Sequence, residues 1–266
     1  MIDLRSNILD GTGSGPQSFS ESLEMCRAAL ACGVRTLVAT PRWKAGSFEP
    51  PLAFEEITRK LERLQQEFGD TLSLKSGFVL EFSHNLLELV DRYGSRLALG
   101  EKQHLLISLP SNHLPTEIDY IWAGLRERGF LIIIAHPECS PVIRRNSALF
   151  SCWASSGVKF QIDAASVAGA YGREVKKFAL ECLRKYEGST LVASNVRDTK
   201  ANPMKDARME ISARMGDMRA TKFVSETPTA IIGDGFLTVN RRAKDSSKMG
   251  ALLRSLKQIK TIFSEA

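Results

Sequence analysis

Short apolar runs alternate with longer amphipathic segments along most of this chain, and that alternation constrains its fold more than any other feature. Runs of strand length stand at 2–4, 36–39, 72–76, 104–109, 131–135, 159–163 and 190–194. Helical patterns fill the intervals at 21–32, 54–68, 85–93, 117–128, 148–156 and 173–186. In the second of these, Phe54, Ile57, Leu61 and Leu64 fall three or four residues apart, while Glu55, Arg59, Glu62 and Arg63 take the opposite face. Gly33, Gly129, Gly157 and Gly188 each stand between a helix and the next strand, where helix C-caps belong. Strands regularly separated by helices predict a parallel sheet with helical crossovers. The expectation is one α/β domain over residues 1–239, either a barrel or a doubly wound open sheet, with function at the ends of the strands.

Composition narrows the class. The chain has 266 residues, 43% hydrophobic and 25% charged, which excludes a disordered, collagen-like or disulfide-stapled design. The longest apolar run, Phe130 to Ala135, is far short of the ~20 residues that span a bilayer. The opening segment carries Asp3 and no apolar stretch, so neither a signal peptide nor a transmembrane segment is expected, and a cytoplasmic setting is. Five cysteines without a Cys-x-x-Cys pair fit a reduced set rather than zinc knuckles or disulfides. The net charge is +6, but residues 240–266 hold seven Lys/Arg against Asp245 and Glu265. The basicity therefore belongs to the tail, and no nucleic-acid-binding core is expected.

At the strand ends stand Arg5 and Asn7, then Thr40-Pro41-Arg42-Trp43, Ser108-Leu109-Pro110, Ala135-His136-Pro137-Glu138-Cys139 and Ala193-Ser194-Asn195-Val196-Arg197-Asp198. These blocks, with Glu21-Ser22-Leu23-Glu24-Met25 and the loop Gly11-Thr12-Gly13-Ser14-Gly15, resemble in order and spacing the PHP (polymerase and histidinol phosphatase) superfamily. Within it they are most similar to the capsule-type bacterial tyrosine phosphatases. The resemblance covers roughly residues 1 to 235.

It implies a distorted seven-stranded TIM-like β/α barrel, a divalent metal cluster usually described as manganese, and a setting in capsule or exopolysaccharide biosynthesis beside a tyrosine kinase. Carried over position by position, most implied ligands are replaced. Two histidines read Arg5 and Asn7, a third reads Arg42, a glutamate reads Ser108, and the last Asp and His read Asn195 and Arg197. A further glutamate maps near Val79, with Glu81 able to replace it after a small shift, and the phosphate-handling arginine reads Cys139. His136 alone is kept.

An arginine has no lone pair to offer a metal and repels one at close range. The expectation is a degenerate phosphatase homologue, a pseudophosphatase that needs no cofactor. Its anion site would combine Arg5, Asn7, Arg42, Asn195, Arg197, Gly13 and Ser14, and its ligand would be a phosphorylated tyrosine tail or a sugar phosphate. Only Asp10, Asp163, Asp198 or Glu138 would offset the arginines, so Arg5→Gln or Arg42→Gln should weaken anion binding and relieve repulsion. Two alternatives stand beside it. One is a weakly active hydrolase with a reduced manganese site at His136, Glu81 and Asp163; the other is an interaction protein without a functional pocket.

Weaker signals carry little. The glycine loop fails the dinucleotide pattern because Pro16 occupies its third glycine position. Cys139 and Arg145 have the spacing of cysteine phosphatases, but the loop between them lacks glycines that would aim N–H groups at a phosphate. At 249–263, Met249, Leu252, Leu253, Leu256, Ile259, Ile262 and Phe263 recur at helical spacing. They predict a basic amphipathic helix within 240–266, packed on the barrel or docked on an acidic partner or anionic membrane surface. An oligomer is compatible with all of this.

Overall fold

In the computed structural model nine short parallel strands make up seven staves. The described residues are 1–233 without Ser14, Lys200 and Ala201; the helix expected within 240–266 lies outside them. The strands are β1 (Ile2–Ser6), β2 (Thr36–Ala39), β3 (Arg42–Trp43), β4 (Ser73–Ser76), β5 (Val79–Glu81), β6 (His104–Ser108), β7 (Leu131–Ala135), β8 (Lys159–Asp163) and β9 (Thr190–Ala193). Their order is β1-β2-β4 in one sheet and β3-β5-β6-β7-β8-β9 in the other. The second stave, β2 then β3, breaks at Thr40-Pro41, and the third, β4 then β5, breaks at Gly77-Phe78, which splits the sheet without adding staves. Proline has no N–H for the ladder, and a Cβ on Gly77 would stand 3.1 Å from the Leu99 backbone. Parallel bridging of Ser6 with Val196, with Asn195 N to Arg5 O at 2.8 Å, joins β9 back to β1 and closes the barrel.

The helices are α1 (Phe19–Ala31), α2 (Phe54–Phe68), α3 (Leu86–Tyr93), α4 (Ile118–Glu127), α5 (Pro141–Arg144), α6 (Ser147–Ser155), α7 (Ala164–Ala168), α8 (Arg173–Lys185), α9 (Met204–Met215), α10 (Asp217–Thr221) and α11 (Thr227–Ile232). All six expected helices form, with ends shifted by one or two residues. Helix α1 starts earlier because Ser18 is its N-cap, its side chain accepting from Glu21 N. Gly33, Gly129 and Gly157 do adopt positive φ after their helices. Gly188 does not; α8 ends at a Tyr186 cap, and the chain reaches β9 by a turn from Ser189 N to Tyr186 O.

Alternation along each strand separates two cores. Inside the barrel Leu4, Val38, Leu106, Ile133 and Leu191 meet Leu99, Ile231 and Ile232, which plug the end where the strands begin. Leu37, Leu105, Ile107, Ile132, Ile134, Phe160 and Val192 face the helices instead. Among the described residues the other end of the barrel has no apolar plug of this kind. Polar side chains fill it.

Candidate functional site

Break in the β1–β2 register between Asp3 and Ser6 coincides with the point where Arg5 turns into the polar end of the barrel. Arg5 is 2% exposed. Its Nη1 donates to Gln161 Oε1 at 2.8 Å and lies 3.4 Å from Asp163 Oδ1. Burial lowers the guanidinium pKa; Asp163 opposes that shift, and Arg197 and Arg42 add to it. Asp163 is fully engaged: Gln161 Nε2 donates to Oδ1 at 2.8 Å and Asn195 Nδ2 to Oδ2 at 2.9 Å. Asn195 holds its side chain there from a left-handed backbone, φ 53°, a conformation asparagine tolerates better than most residues.

Arg42, at the start of β3, makes the second pair. Its Nη1 donates to Glu81 Oε1 at 2.8 Å, and Ala45 N donates to Glu81 Oε2 at 3.1 Å. Both side chains remain about 30% exposed. Arg197 projects into solvent and carries no ion pair among the described residues. It borders two clefts: one of about 410 Å³ with Arg42, Glu81, Phe82, Ser108, Leu109, Pro110 and His136, and one of about 380 Å³ with His136, Cys139, Asp163, Tyr171 and Asn195.

His136 lies between the two clefts, with φ 38° at the end of β7. Its Nε2 is 3.5 Å from Ser108 Oγ. Burial, reinforced by Arg5, pushes its imidazole down to about 4 against the opposing pull of Asp163, so the ring is neutral at pH 7. Behind it Glu138 is completely buried. Its Oε1 accepts from Asp163 N at 2.8 Å and Ser166 Oγ at 2.7 Å, and burial together with Asp163 raises its carboxyl to about 8. The Cys139 thiol, 3.8 Å from Glu138 Oε1, is pushed up to about 12, mainly by burial. A thiol held protonated is no nucleophile at neutral pH, which disposes of the Cys139–Arg145 spacing.

Several expectations need correction. The three arginines converge, but two of them are compensated in place, Arg5 by Asp163 and Arg42 by Glu81. Removing Arg5 would therefore strand a buried carboxylate rather than relieve repulsion. Asp10 pairs with Lys60 at 2.7 Å and offsets no arginine. Of the reduced metal set His136, Glu81 and Asp163, Asp163 pairs with Arg5 and Glu81 with Arg42, while His136 borders both clefts. Asn7 is buried, with Oδ1 unpartnered among the described residues, and lines neither cleft. Gly13 has φ 77°, and Ser14 lies outside the described residues. The neighbouring Gly15 is required by close approach: a Cβ there would stand 2.7 Å from Asn7 O.

Sequence reasoning missed Gln161 and named Glu138 only as an acid that would offset the arginines. Gln161 lies mid-strand, two residues before Asp163, so the period-2 alternation of β8 already put both on one face. Glu138 was visible as the acid after His136, but nothing in the sequence marks its full burial. Among the described residues, Glu138, Cys139 and Asp163 form the one group of three whose ligand atoms lie within 4.8 Å. Burial raises the Glu138 and Cys139 pKa values and Asp163 already holds Arg5, Gln161 and Asn195, so a divalent ion binding this group would displace protons and compete with Arg5.

The family model for capsular polysaccharide synthesis proteins, CpsB/CapC, matches residues 1–233. The tyrosine-protein phosphatase YwqE of Bacillus subtilis is 31% identical over 182 residues, 68% of this chain and 71% of that protein. The tyrosine-protein phosphatase CpsB of Streptococcus pneumoniae is 24% identical over 241 residues, 88% of this chain and 99% of that protein. A crystal structure from the work on those two proteins, described as unique metal-dependent tyrosine phosphatases, superposes with a TM-score of 0.78 at 26% identity. It covers 87% of this chain and 94% of that one. A β-aspartyl dipeptidase from Fervidobacterium islandicum shares the fold alone, with a TM-score of 0.54 at 12% identity. The fold agrees with these matches, and the chain belongs to the CpsB/CapC family of capsular polysaccharide synthesis proteins, the family of PHP-type tyrosine phosphatases.

Proposed function

We propose that this chain is a pseudophosphatase of that family, one that recognises a phosphate-bearing ligand at the strand-end clefts without efficient metal-dependent hydrolysis. One observation carries the reading: guanidinium groups, not open carboxylates, face the two acids that would be natural cation ligands. Arg5 neutralises Asp163 and Arg42 neutralises Glu81. A divalent ion entering there would have to displace a fixed positive charge from each acid while lying beside Arg197. Metal-activated water is the chemistry such an ion would supply when bound.

What remains suits an anion. Arg197 is free, and Arg42 keeps donors beyond the one given to Glu81, so a phosphoryl group between them would accept forked hydrogen bonds. Phe82, Leu109 and Pro110 line the same cleft and offer apolar contact to an aromatic stem, as in a phosphotyrosine. The test is melting temperature with phosphate, sulfate and phosphotyrosine against matched chloride. A rise with phosphotyrosine that Arg197→Gln abolishes supports the reading, since binding to the folded state raises its stability by mass action. No rise with any of the three contradicts it.

A second reading has its own support. The relatives are tyrosine phosphatases, and three buried oxygens, Asn7 Oδ1, Asn195 Oδ1 and Glu138 Oε2, lack donors among the described residues. Together with the Glu138–Cys139–Asp163 group they favour a weakly active metal-dependent hydrolase. Phosphatase activity that manganese restores and a chelator removes would replace the first reading with this one.

A further inference from the structure

A trough runs along α8 toward α9; Val175, on the same helix, lines the smaller strand-end cleft, and the trough shares no lining residue with either cleft. Arg173, Lys176, Lys177, Leu180, Glu181, Arg184 and Lys185 line it from α8, and Arg214 enters from α9. The α8 residues recur at spacings of three and four, so they form one continuous stripe along the helix. Six of the lining side chains are basic and one is acidic. Glu210 ties the two walls together: Lys176 Nζ is 2.9 Å from its carboxylate, and Arg214 Nε donates to the same oxygen. Arg173, Lys177 and Arg184 are exposed and make no ion pair or cation–π contact among the described residues.

We propose that this trough is a docking surface for an acidic polypeptide segment. Charge complementarity selects an anionic occupant, and shape selects among anions. Leu180, only 8% exposed, lies in the trough below the charged rim, where a protruding apolar side chain can reach and a flat lipid surface cannot. Glu181 in the trough would repel a run of nucleic-acid phosphates. A peptide can place its carboxylates on Arg173, Lys177 and Arg184 and keep clear of Glu181. Helix α8 has 13 residues, about 20 Å of length, which matches roughly six residues of extended chain. The surface makes no use of Arg197 or Arg42, so the proposal goes beyond the anion reading of the clefts and does not depend on it.

The experiment uses the full chain and a fluorescein-labelled peptide of Asp and Glu with one central Leu, read by anisotropy at low and moderate salt. Saturable binding is expected, weakened about tenfold by Lys177→Glu with Arg184→Glu, and weakened also when the peptide leucine becomes serine. Arg197→Gln should leave it unchanged. The neutral pair Lys177→Gln with Arg184→Gln should give an intermediate loss, which guards against misfolding of the reversal variant. Absence of saturable binding, or equal binding by the reversal variant, overturns the proposal. Tighter binding of phosphatidylglycerol vesicles or duplex DNA through the same residues also overturns it, by assigning the surface to lipid or nucleic acid.

Discussion

Arg5–Asp163 and Arg42–Glu81 are the same kind of pair in two different solvents. The first is sealed, each side chain 2% exposed; the second is wet, each about 30% exposed. Water decides what each arginine does. In the sealed pair both charges have lost hydration, so each exists only because the other is there, with Gln161 and Asn195 completing the hydrogen bonds. In the wet pair the ions retain solvent, and Arg42 can turn toward a ligand with little loss. Arg5 is therefore read as structure and Arg42 as recognition.

The comparison breaks most sharply at Arg5. Arg5→Gln should lower stability by about 3–5 kcal/mol, the penalty for leaving a buried charge unpaired. Adding Asp163→Asn should recover much of it, and urea unfolding of the single and double variants measures the coupling. Near-additive losses would show that the two residues do not act as a pair.

Acid tests the barrel's opposite end. His104, at the start of β6, is 4% exposed, and burial pushes its imidazole down to about 4 from 6.5. A folded pKa below the unfolded one favours the neutral ring. Its contribution is fully present above about pH 6.5 and is lost as pH falls toward 4, roughly 3 kcal/mol in all. His136, shifted the same way, adds to the slope. Unfolding measured from pH 7 to 4 should therefore be less acid-sensitive in His104→Gln; an unchanged slope would mean that the histidine is already solvated.

At the wet pair the expected effects are small. Arg42→Gln should change stability by no more than about 1 kcal/mol, yet weaken any phosphate-dependent rise in melting temperature. A loss as large as that of Arg5→Gln would erase the contrast between the two sites.

Much of the fold was legible because alternation reports burial directly: all seven staves and six of the helices follow from period-2 and period-3.6 patterns. Helix α9 was missed because its buried face is thin, Met204, Ala207 and Ile211 among charged neighbours. The site was legible as a set of strand ends but not as a set of pairs. The sequence brings Arg5, Arg42 and Arg197 to one face; which acids Arg5 and Arg42 meet depends on the register shift in β1 and on side-chain reach across the barrel. Glu138 was invisible as a buried acid, since a carboxyl's protonation follows from packing that no local pattern records.

In the pseudophosphatase we propose, the guanidinium groups of Arg5 and Arg42 hold the acids that a metal cluster would otherwise use. The most direct test is elemental analysis of the full chain after equilibration with manganese and removal of free ion. Substoichiometric metal is expected in the wild-type protein. Stoichiometric manganese accompanied by chelator-sensitive phosphotyrosine hydrolysis would contradict it.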